Sequence, residues 1–289
     1  METFKLDLPH GITLSCRACG PADAPRLVFL HGFPEAAFIW DEVMALLGDR
    51  YRCIAPNLRG FADSSSPKEP AAYRVKHLMM DIAALIKATG QGPLEALIAH
   101  DWGGAVAWSL AVQAPQLMQR LVIINSPHPG TFLRELQQSE SQRQASAYMN
   151  FLCRPDAAAL LAENDYARLF AFFTEHSSKP WLTDALRARY REVWAQGLDG
   201  ALNYYRASPM RPPTPDDPGA MALSIPAELV TVKLPTRVIW GLDDRALPAA
   251  LIEGLEPFVP QLDLRRVEGS GHWIVHEQPA LVAELIAAE

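Results

Sequence analysis

Residues 94–113 read LEALIAHDWGGAVAWSLAVQ, and they join a continuous apolar run to an alanine-rich stretch through one carboxylate, Asp101. An apolar run of this kind is typical of a buried strand in a parallel sheet, whereas the alanine-rich stretch favours a helix. Small residues on either side of Asp101 suit the tight turn that this change of structure requires. The stretch therefore predicts a strand–turn–helix unit with Asp101 at the carboxyl end of the strand.

The rest of the chain repeats this alternation of short apolar strands and helices. Helical stretches of about 10 to 15 residues separate the strands, which implies a doubly wound, mostly parallel sheet with helices on both faces. FKLDL and ITLSCRA flank the turn PHG, so we expect the chain to open with a β-hairpin. Met79 and Met80 are expected to pack in the core from one of the helices. The other predicted strands are RLVFL (26–30), RCIAP (52–56), RLVIIN (120–125), TRVIWG (236–241) and LDLRRVEG (262–269).

The alternation is interrupted in the middle of the chain. From about residue 130 to 208, helical stretches follow one another without a convincing buried strand, and a proline-rich connection, SPMRPPTPDDPG (208–219), leads back to sheet-like sequence. The expected fold class is α/β with an inserted helical cap. The predicted boundaries are 1–127 for the first part of the core, 128–215 for the cap and 216–289 for the second part. A further helix is expected near AALIEGLEPF (249–258).

Composition and charge are those of an ordinary globular chain, and they exclude several kinds of partner. Of the 289 residues, 49% are hydrophobic and 20% are charged, and the formal net charge of −7 gives no general attraction for nucleic acid or anionic membranes. No apolar stretch approaches the roughly 20 residues that span a bilayer. The start, METFKLDLPHG, lacks a basic segment followed by an apolar one, so we expect no signal peptide and a cytoplasmic protein.

Two spacings of cysteine and histidine are similar to redox or metal motifs. Cys16 and Cys19 spell C-x-x-C, but the alternating strand pattern around them puts them on opposite faces, and no second pair follows. His272 and His276 stand four residues apart, yet neither an H-E-x-x-H motif nor a clear third ligand accompanies them. We therefore expect reduced structural thiols, no metal site and no cofactor.

Residues that can carry chemistry collect at the carboxyl ends of the predicted strands, where the loops of an open parallel sheet project. RLVFL is followed by HGFPE (31–35), LEALIA by HDWGG (100–104), TRVIW by GLDD (241–244) and LDLRRVE by GSGHW (269–273). An acid, a second acid and a histidine, in that chain order, match the nucleophile–acid–histidine order of α/β-hydrolases. No G-x-S-x-G occurs in the chain, so Asp101 stands where a serine nucleophile would be expected.

These motifs resemble those of the α/β-hydrolase fold and, more narrowly, those of the epoxide hydrolases. The resemblance runs through HGFPE, HDWGGAVAW, INSPHPGTF (124–132), the cap segments and GHW, and it covers nearly the whole chain. It implies a cofactor-independent hydrolase whose partners are a small hydrophobic epoxide and water. It also implies a cis peptide bond before Pro34, and it favours Asp244 over the adjacent Asp243 as the acid of the catalytic triad.

A carboxylate nucleophile suits a substrate that alkylates the enzyme. A serine that attacked an sp3 carbon would leave an ether, whereas Asp101 would leave an ester that water can cleave. In the second step His272, oriented by Asp244, would deprotonate that water. The backbone N–H groups of Phe33 and Trp102 would donate to the resulting oxyanion.

The leaving group separates epoxide opening from dehalogenation, because a developing alkoxide needs a proton or strong donors. Epoxide hydrolases carry two cap tyrosines for this purpose, and the resemblance implies Tyr148 in SAYMNF and Tyr205 in LNYYRA, with Tyr204 as the alternative after a shift of one residue. Haloacetate dehalogenases carry arginines after the nucleophile, and haloalkane dehalogenases usually have asparagine where this chain has Phe33. Trp102 does match a halide-binding tryptophan, so a dehalogenase remains an alternative. A catalytically inactive, ligand-binding member of the fold is a third.

Glu35 and His100 are polar residues beside the predicted site. Each could help to hold the hydrolytic water or could serve only as scaffold. The sequence leaves the size of the epoxide, its preferred enantiomer and the oligomeric state open, and a homodimer is one alternative.

Overall fold

An eight-stranded sheet forms the centre of the computed structural model, which describes residues 1–175, 177 and 179–288. The strands are β1 (Glu2–Asp7), β2 (Thr13–Cys19), β3 (Arg26–Leu30), β4 (Arg52–Pro56), β5 (Leu94–His100), β6 (Met118–Ile124), β7 (Thr236–Gly241) and β8 (Leu262–Val267). They lie in the order β1-β2-β4-β3-β5-β6-β7-β8. β1 and β2 form an antiparallel hairpin and β2 pairs antiparallel with β4, whereas the pairs from β4 to β8 are parallel.

Helices cover the sheet because parallel strands require crossover connections. The core helices are α1 (Asp41–Leu47), α2 (Val75–Ala88), α3 (Trp102–Gln113), α10 (Ile274–Glu277) and α11 (Pro279–Ala287). From β3, the connection through α1 leads to β4, on one side of β3 in the sheet. The connections through α2 and α3 run in the opposite direction along the sheet, to β5 and then to β6. Because such crossovers are right-handed, α1 lies on one face of the sheet and α2 and α3 lie on the other. In accordance with this, every residue of β3 and of β7 is buried.

In the described residues, six α-helices between β6 and β7 form what we call the cap. They are α4 (Pro129–Gln138), α5 (Glu140–Ala145), α6 (Tyr148–Leu152), α7 (Ala157–Glu175), α8 (Asp184–Trp194) and α9 (Asp199–Ala207). α7 is interrupted by a kink of non-helical backbone from Glu163 to Tyr166. The indole of Trp194 donates to the carbonyl of Pro34 at 2.7 Å, and the hydroxyl of Tyr204 donates to that of Arg59 at 2.9 Å. Since Pro34 and Arg59 follow β3 and β4, these bonds hold the cap over the carboxyl edge of the sheet. The predicted boundaries of the cap stay a prediction.

The sequence pattern located the strands well and some helical detail poorly. The predicted hairpin and the fold class are confirmed. The helix expected at 249–258 is wrong in extent, since only a short 3-10 helix, Ala249–Ile252, forms there. The expected core position of Met80 is also wrong, because Met80 is 48% exposed whereas Met79 is buried. Adjacent residues on a helix point about 100° apart, so both side chains could not face the sheet equally.

The described part of the chain contains no helix that is both long and apolar enough to cross a membrane.

Candidate active site

Asp101 lies in a strained turn between β5 and α3. Its backbone has φ 50° and ψ −123°, a conformation that costs a non-glycine residue about 1–3 kcal/mol and that persists only where its surroundings impose it. The hydroxyl of Ser126 donates to the carbonyl oxygen of Asp101 at 2.6 Å and so helps to fix the turn. Gly103 allows the close approach behind it, because an added Cβ there would lie 2.6 Å from the carbonyl oxygen of Leu30. The turn projects the Asp101 carboxylate from the sheet edge.

One oxygen of the Asp101 carboxylate is held by the backbone. The N–H of Phe33 donates to Oδ1 of Asp101 at 2.7 Å. Trp102 is the first residue of α3, so its N–H is one of those at a helix start that lack an acceptor within the helix. The peptide bond between Phe33 and Pro34 is cis, as the resemblance implied. Of the two predicted backbone donors, Phe33 thus binds the Asp101 carboxylate, and Trp102 directly follows Asp101 in the chain.

His272 lies between Asp101 and a second carboxylate. Its Nδ1 is 2.7 Å from Oδ2 of Asp244, and its Nε2 is 3.8 Å from Oδ2 of Asp101. Oδ1 of Asp244 accepts the N–H groups of Ala246 and Leu247 at 2.9 and 2.8 Å. Asp244, and not Asp243, is thus the acid that contacts the histidine.

Asn125, which was not singled out from the sequence, completes the surroundings of Asp244. Its Nδ2 donates to Oδ2 of Asp244 at 2.8 Å, and its Oδ1 accepts the N–H of Gly241 at 2.8 Å. Asn125 has a left-handed backbone with φ 37° and directly follows β6. Its place at the carboxyl end of a strand was the signal that could have identified it.

The charges of this site shift the ionisation of its members. Burial alone would lower the pKa of His272, but the charge of Asp244 and its hydrogen bond, together with the charge of Asp101, raise that pKa to about 9. Burial alone would raise the pKa of Asp244, but the charge of His272 and the hydrogen bonds to Asp244 keep it below its usual value. In the resting site these interactions favour the protonated form of His272 and the ionised form of Asp244.

Glu35 and His100 lie next to each other, close to the backbone of His272. Nδ1 of His100 is 3.3 Å from Oε2 of Glu35, and Nε2 of His100 is 2.9 Å from the backbone carbonyl of His272. Oε1 of Glu35 accepts a hydrogen bond from the hydroxyl of Tyr190 at 3.0 Å and lies 2.8 Å from Nε2 of His276. Burial alone would raise the pKa of Glu35, but its bonds to His100 and His276 lower it. Of the two predicted water-positioning residues, His100 thus contacts the backbone of His272, and Glu35 contacts His100 and His276.

The two predicted cap tyrosines line the same space as Asp101. Tyr148 and Tyr205 lie with their rings 6.2 Å apart, and Tyr205 packs edge-on against Trp102 at 5.0 Å. Burial is the largest cause that raises the pKa of both phenols, and the charge of Asp101 raises both further. Tyr204 instead donates its hydroxyl to the carbonyl of Arg59. The geometry therefore favours Tyr205 over Tyr204 as the partner of Tyr148.

Two spaces meet at Asp101, Tyr148 and Tyr205, which line both of them. We call the first, with a volume of about 530 Å³, the large arm. The second, of about 20 Å³, is the small pocket. The small pocket is also lined by Phe33, Pro34, Phe172, Ala246, His272 and Trp273. The reacting groups therefore stand at a junction between a roomy space and a very small one.

Comparisons with known proteins agree with this arrangement. A family model described as alpha/beta hydrolase fold matches residues 25–279. The AB hydrolase superfamily protein YfhM of Bacillus subtilis is 37% identical over 282 residues, which cover 96% of this chain and 94% of YfhM. A solved structure described as one of the novel epoxide hydrolases from metagenomes of hot environments is 38% identical, covers 99% of this chain and 97% of its own, and superposes with a TM-score of 0.88. This chain belongs to the epoxide hydrolases of the α/β-hydrolase fold.

A further epoxide hydrolase, the Bacillus megaterium enzyme solved in complex with an inhibitor, is 26% identical and has a TM-score of 0.88 over 98% of each chain.

In the present epoxide hydrolase, Tyr190 and Ser126 join Asn125 as residues beside the site that the sequence had not indicated. Within the described residues, no group of three or more histidine, cysteine or acidic side chains is arranged to hold a metal ion. His276, considered above for its spacing from His272, instead stacks on Trp181 at 4.1 Å and contacts Glu35.

Proposed function

We propose that this protein hydrolyses epoxides to vicinal diols in two steps, through an ester formed on Asp101. The observation that carries the proposal is that the Asp101 carboxylate shares one small pocket with two phenols and with His272, whose Nε2 is 3.8 Å from its Oδ2. A carboxylate oxygen can attack carbon without a base, because it has no proton to lose when the bond forms. The substrate and the hydrolytic water are the partners that this site would take.

In the first step, Oδ2 of Asp101 would attack one carbon of the epoxide ring. Oδ1 is already held by the N–H of Phe33, so Oδ2 is the oxygen available for attack. A bond forms between Oδ2 and carbon, and the bond between that carbon and the epoxide oxygen breaks. Tyr148 or Tyr205 donates its proton to the epoxide oxygen, which becomes the first hydroxyl of the diol. The product of this step is a hydroxyalkyl ester of Asp101 and one tyrosinate.

In the second step, water would attack the carbonyl carbon of the Asp101 ester. His272 first releases its resting proton to solvent. In its neutral form it then removes one proton from the water, and the oxyanion forms on Oδ1, beside the N–H groups of Phe33 and Trp102. The bond between that carbon and Oδ2 then breaks, and Oδ2 leaves as the second hydroxyl after it takes the proton from His272. The remaining proton of the water returns to the tyrosinate. Epoxide and water are consumed, and the protein is regenerated when His272 takes a proton back from solvent.

The two phenols favour epoxide over halide as the leaving group, and their removal tests this. Replacement of Tyr148 or Tyr205 by Phe is expected to slow the formation of diol from styrene oxide by about 10²-fold each, the usual effect of losing one donor to a developing oxyanion. The measurement is diol formation in parallel with halide release from 1-bromobutane by the same preparations.

Tyr204→Phe is the matched control for these variants. It removes a neighbouring phenol hydroxyl whose bond to the Arg59 carbonyl is structural, so it is expected to cost stability of about 1 kcal/mol and little activity. Wild-type protein that releases bromide faster than it forms diol would contradict the proposed function. Full activity of both Tyr148→Phe and Tyr205→Phe would contradict the role given to the phenols.

The second step should depend on pH through His272. The raised pKa of about 9 in the resting site includes the charge of Asp101, which disappears when the ester forms. The pKa of His272 in the ester is therefore expected below 9. Since only the neutral histidine acts as base, ester hydrolysis should rise about tenfold for each pH unit below that pKa and then level off. Single-turnover kinetics between about pH 5 and pH 10 measure this, and a hydrolysis rate that falls as pH rises would contradict it.

Two further expectations from the sequence, a cytoplasmic location and a homodimer, stay predictions.

A further inference from the structure

The two spaces at the reaction centre differ strongly in volume. The large arm has about 530 Å³, in the range of sites that enclose drug-sized molecules. The small pocket has about 20 Å³. Because Asp101, Tyr148 and Tyr205 border both, an epoxide that reacts there extends toward one space from one carbon and toward the other space from the second carbon.

The small pocket suits a single water molecule. A cavity needs roughly 10–15 Å³, measured this way, to hold one water, so 20 Å³ leaves no room beyond that. His272, which would deprotonate the hydrolytic water, is part of its wall, and Phe33, Phe172 and Trp273 also line it. The space thus borders the base, and its volume leaves no room for a substituent beside the water.

The large arm suits an apolar substituent. Val106, Phe132 and Ile225 are among its lining residues, and most of the others are also apolar. Val75, which is 43% exposed, is also part of its wall. An aryl or alkyl group can therefore lie in this arm and lose contact with water, which stabilises the bound substrate.

From this asymmetry we infer that the substrates are terminal epoxides, with one apolar substituent in the large arm and an unsubstituted second carbon facing the small pocket. The inference rests on the proposed function and specifies its substrate class. A substituent on the second carbon would have to occupy the space of the hydrolytic water. Such an epoxide would be excluded from the site, or would form the Asp101 ester and leave no room for the water that cleaves it.

The test compares two epoxides that differ by one methyl group. Styrene oxide is terminal, whereas trans-β-methylstyrene oxide carries the additional methyl group on the second carbon. The second compound is expected to show a kcat/KM about 10- to 200-fold lower, the range that one carbon group contributes in a closed pocket. Phe172→Ala enlarges the small pocket and is expected to reduce the ratio of the two kcat/KM values, styrene oxide over trans-β-methylstyrene oxide, by at least about tenfold.

Phe151→Ala is the matched control, since Phe151 is also a partly buried cap phenylalanine but lines neither space. It should leave the ratio unchanged. Because the ratio compares two substrates on one preparation, a partial loss of folded protein cancels, and Phe172→Leu serves if the alanine variant does not fold. Equal rates on both epoxides by the wild type, or a ratio that neither Phe172 variant reduces, would overturn the inference. Diol formation from neither epoxide would overturn the proposed function instead.

Discussion

A His272→Gln variant is expected to react once with an epoxide and then stop. Alkylation by Asp101 needs no base, whereas cleavage of the ester needs the neutral imidazole to remove a proton from water. Glutamine can still donate a hydrogen bond toward Asp244 but cannot accept that proton, so hydrolysis should fall by about 10²- to 10⁴-fold. The enzyme should therefore accumulate as its ester.

Intact-protein mass spectrometry after mixing with styrene oxide measures this directly. One adduct per chain, with the mass of the added epoxide, is expected in His272→Gln, and peptide mapping should place it on Asp101. The double variant Asp101→Ala, His272→Gln is the control and should carry no such adduct. A folded His272→Gln protein that stays unmodified while the wild type forms diol would remove the basis for a two-step reaction.

Much of the fold could be predicted because buried parallel strands carry their signal locally. The runs RCIAP and TRVIWG match β4 and β7 residue for residue, since each contains a continuous apolar segment and is followed by a turn. The helix expected at 249–258 failed for an equally local reason. Gly254, with φ +71°, and Pro257 interrupt it, and both stand in the sequence.

For the same reason, some residues of the site could be predicted from the local sequence and others could not. Asp101, Asp244 and His272 each end a strand or follow one closely, so chain order alone suggested their grouping. Asn125 contacts Asp244 across 119 residues, and Tyr190 contacts Glu35 across 155. No local pattern encodes such pairs, because they exist only after the strands and the cap have packed together. For the same reason, Tyr148 and Tyr205 were predicted from the resemblance to the epoxide hydrolases and not from a local pattern.

The source of the second oxygen of the diol separates attack by Asp101 from attack by water. If Oδ2 of Asp101 forms the bond to carbon, that oxygen leaves in the diol, and the oxygen of water remains in the carboxylate. In a single turnover with excess enzyme in ¹⁸O-water, the first diol is therefore expected to carry no label, and Asp101 should gain one labelled oxygen. Mass spectrometry of the diol and of the peptide that contains Asp101 measures both quantities.

Direct attack by a water molecule that His272 activates would give the opposite distribution, with a fully labelled diol and an unlabelled protein. The geometry argues against that distribution. Nε2 of His272 lies 3.8 Å from Oδ2 of Asp101, and the charges of Asp244 and Asp101 raise the pKa of His272, which favours the form that cannot take a proton from water. The carboxylate of Asp101 needs no base to attack carbon. With repeated turnovers the labelled carboxylate should begin to pass its label on, so labelled diol should appear only after the first cycle.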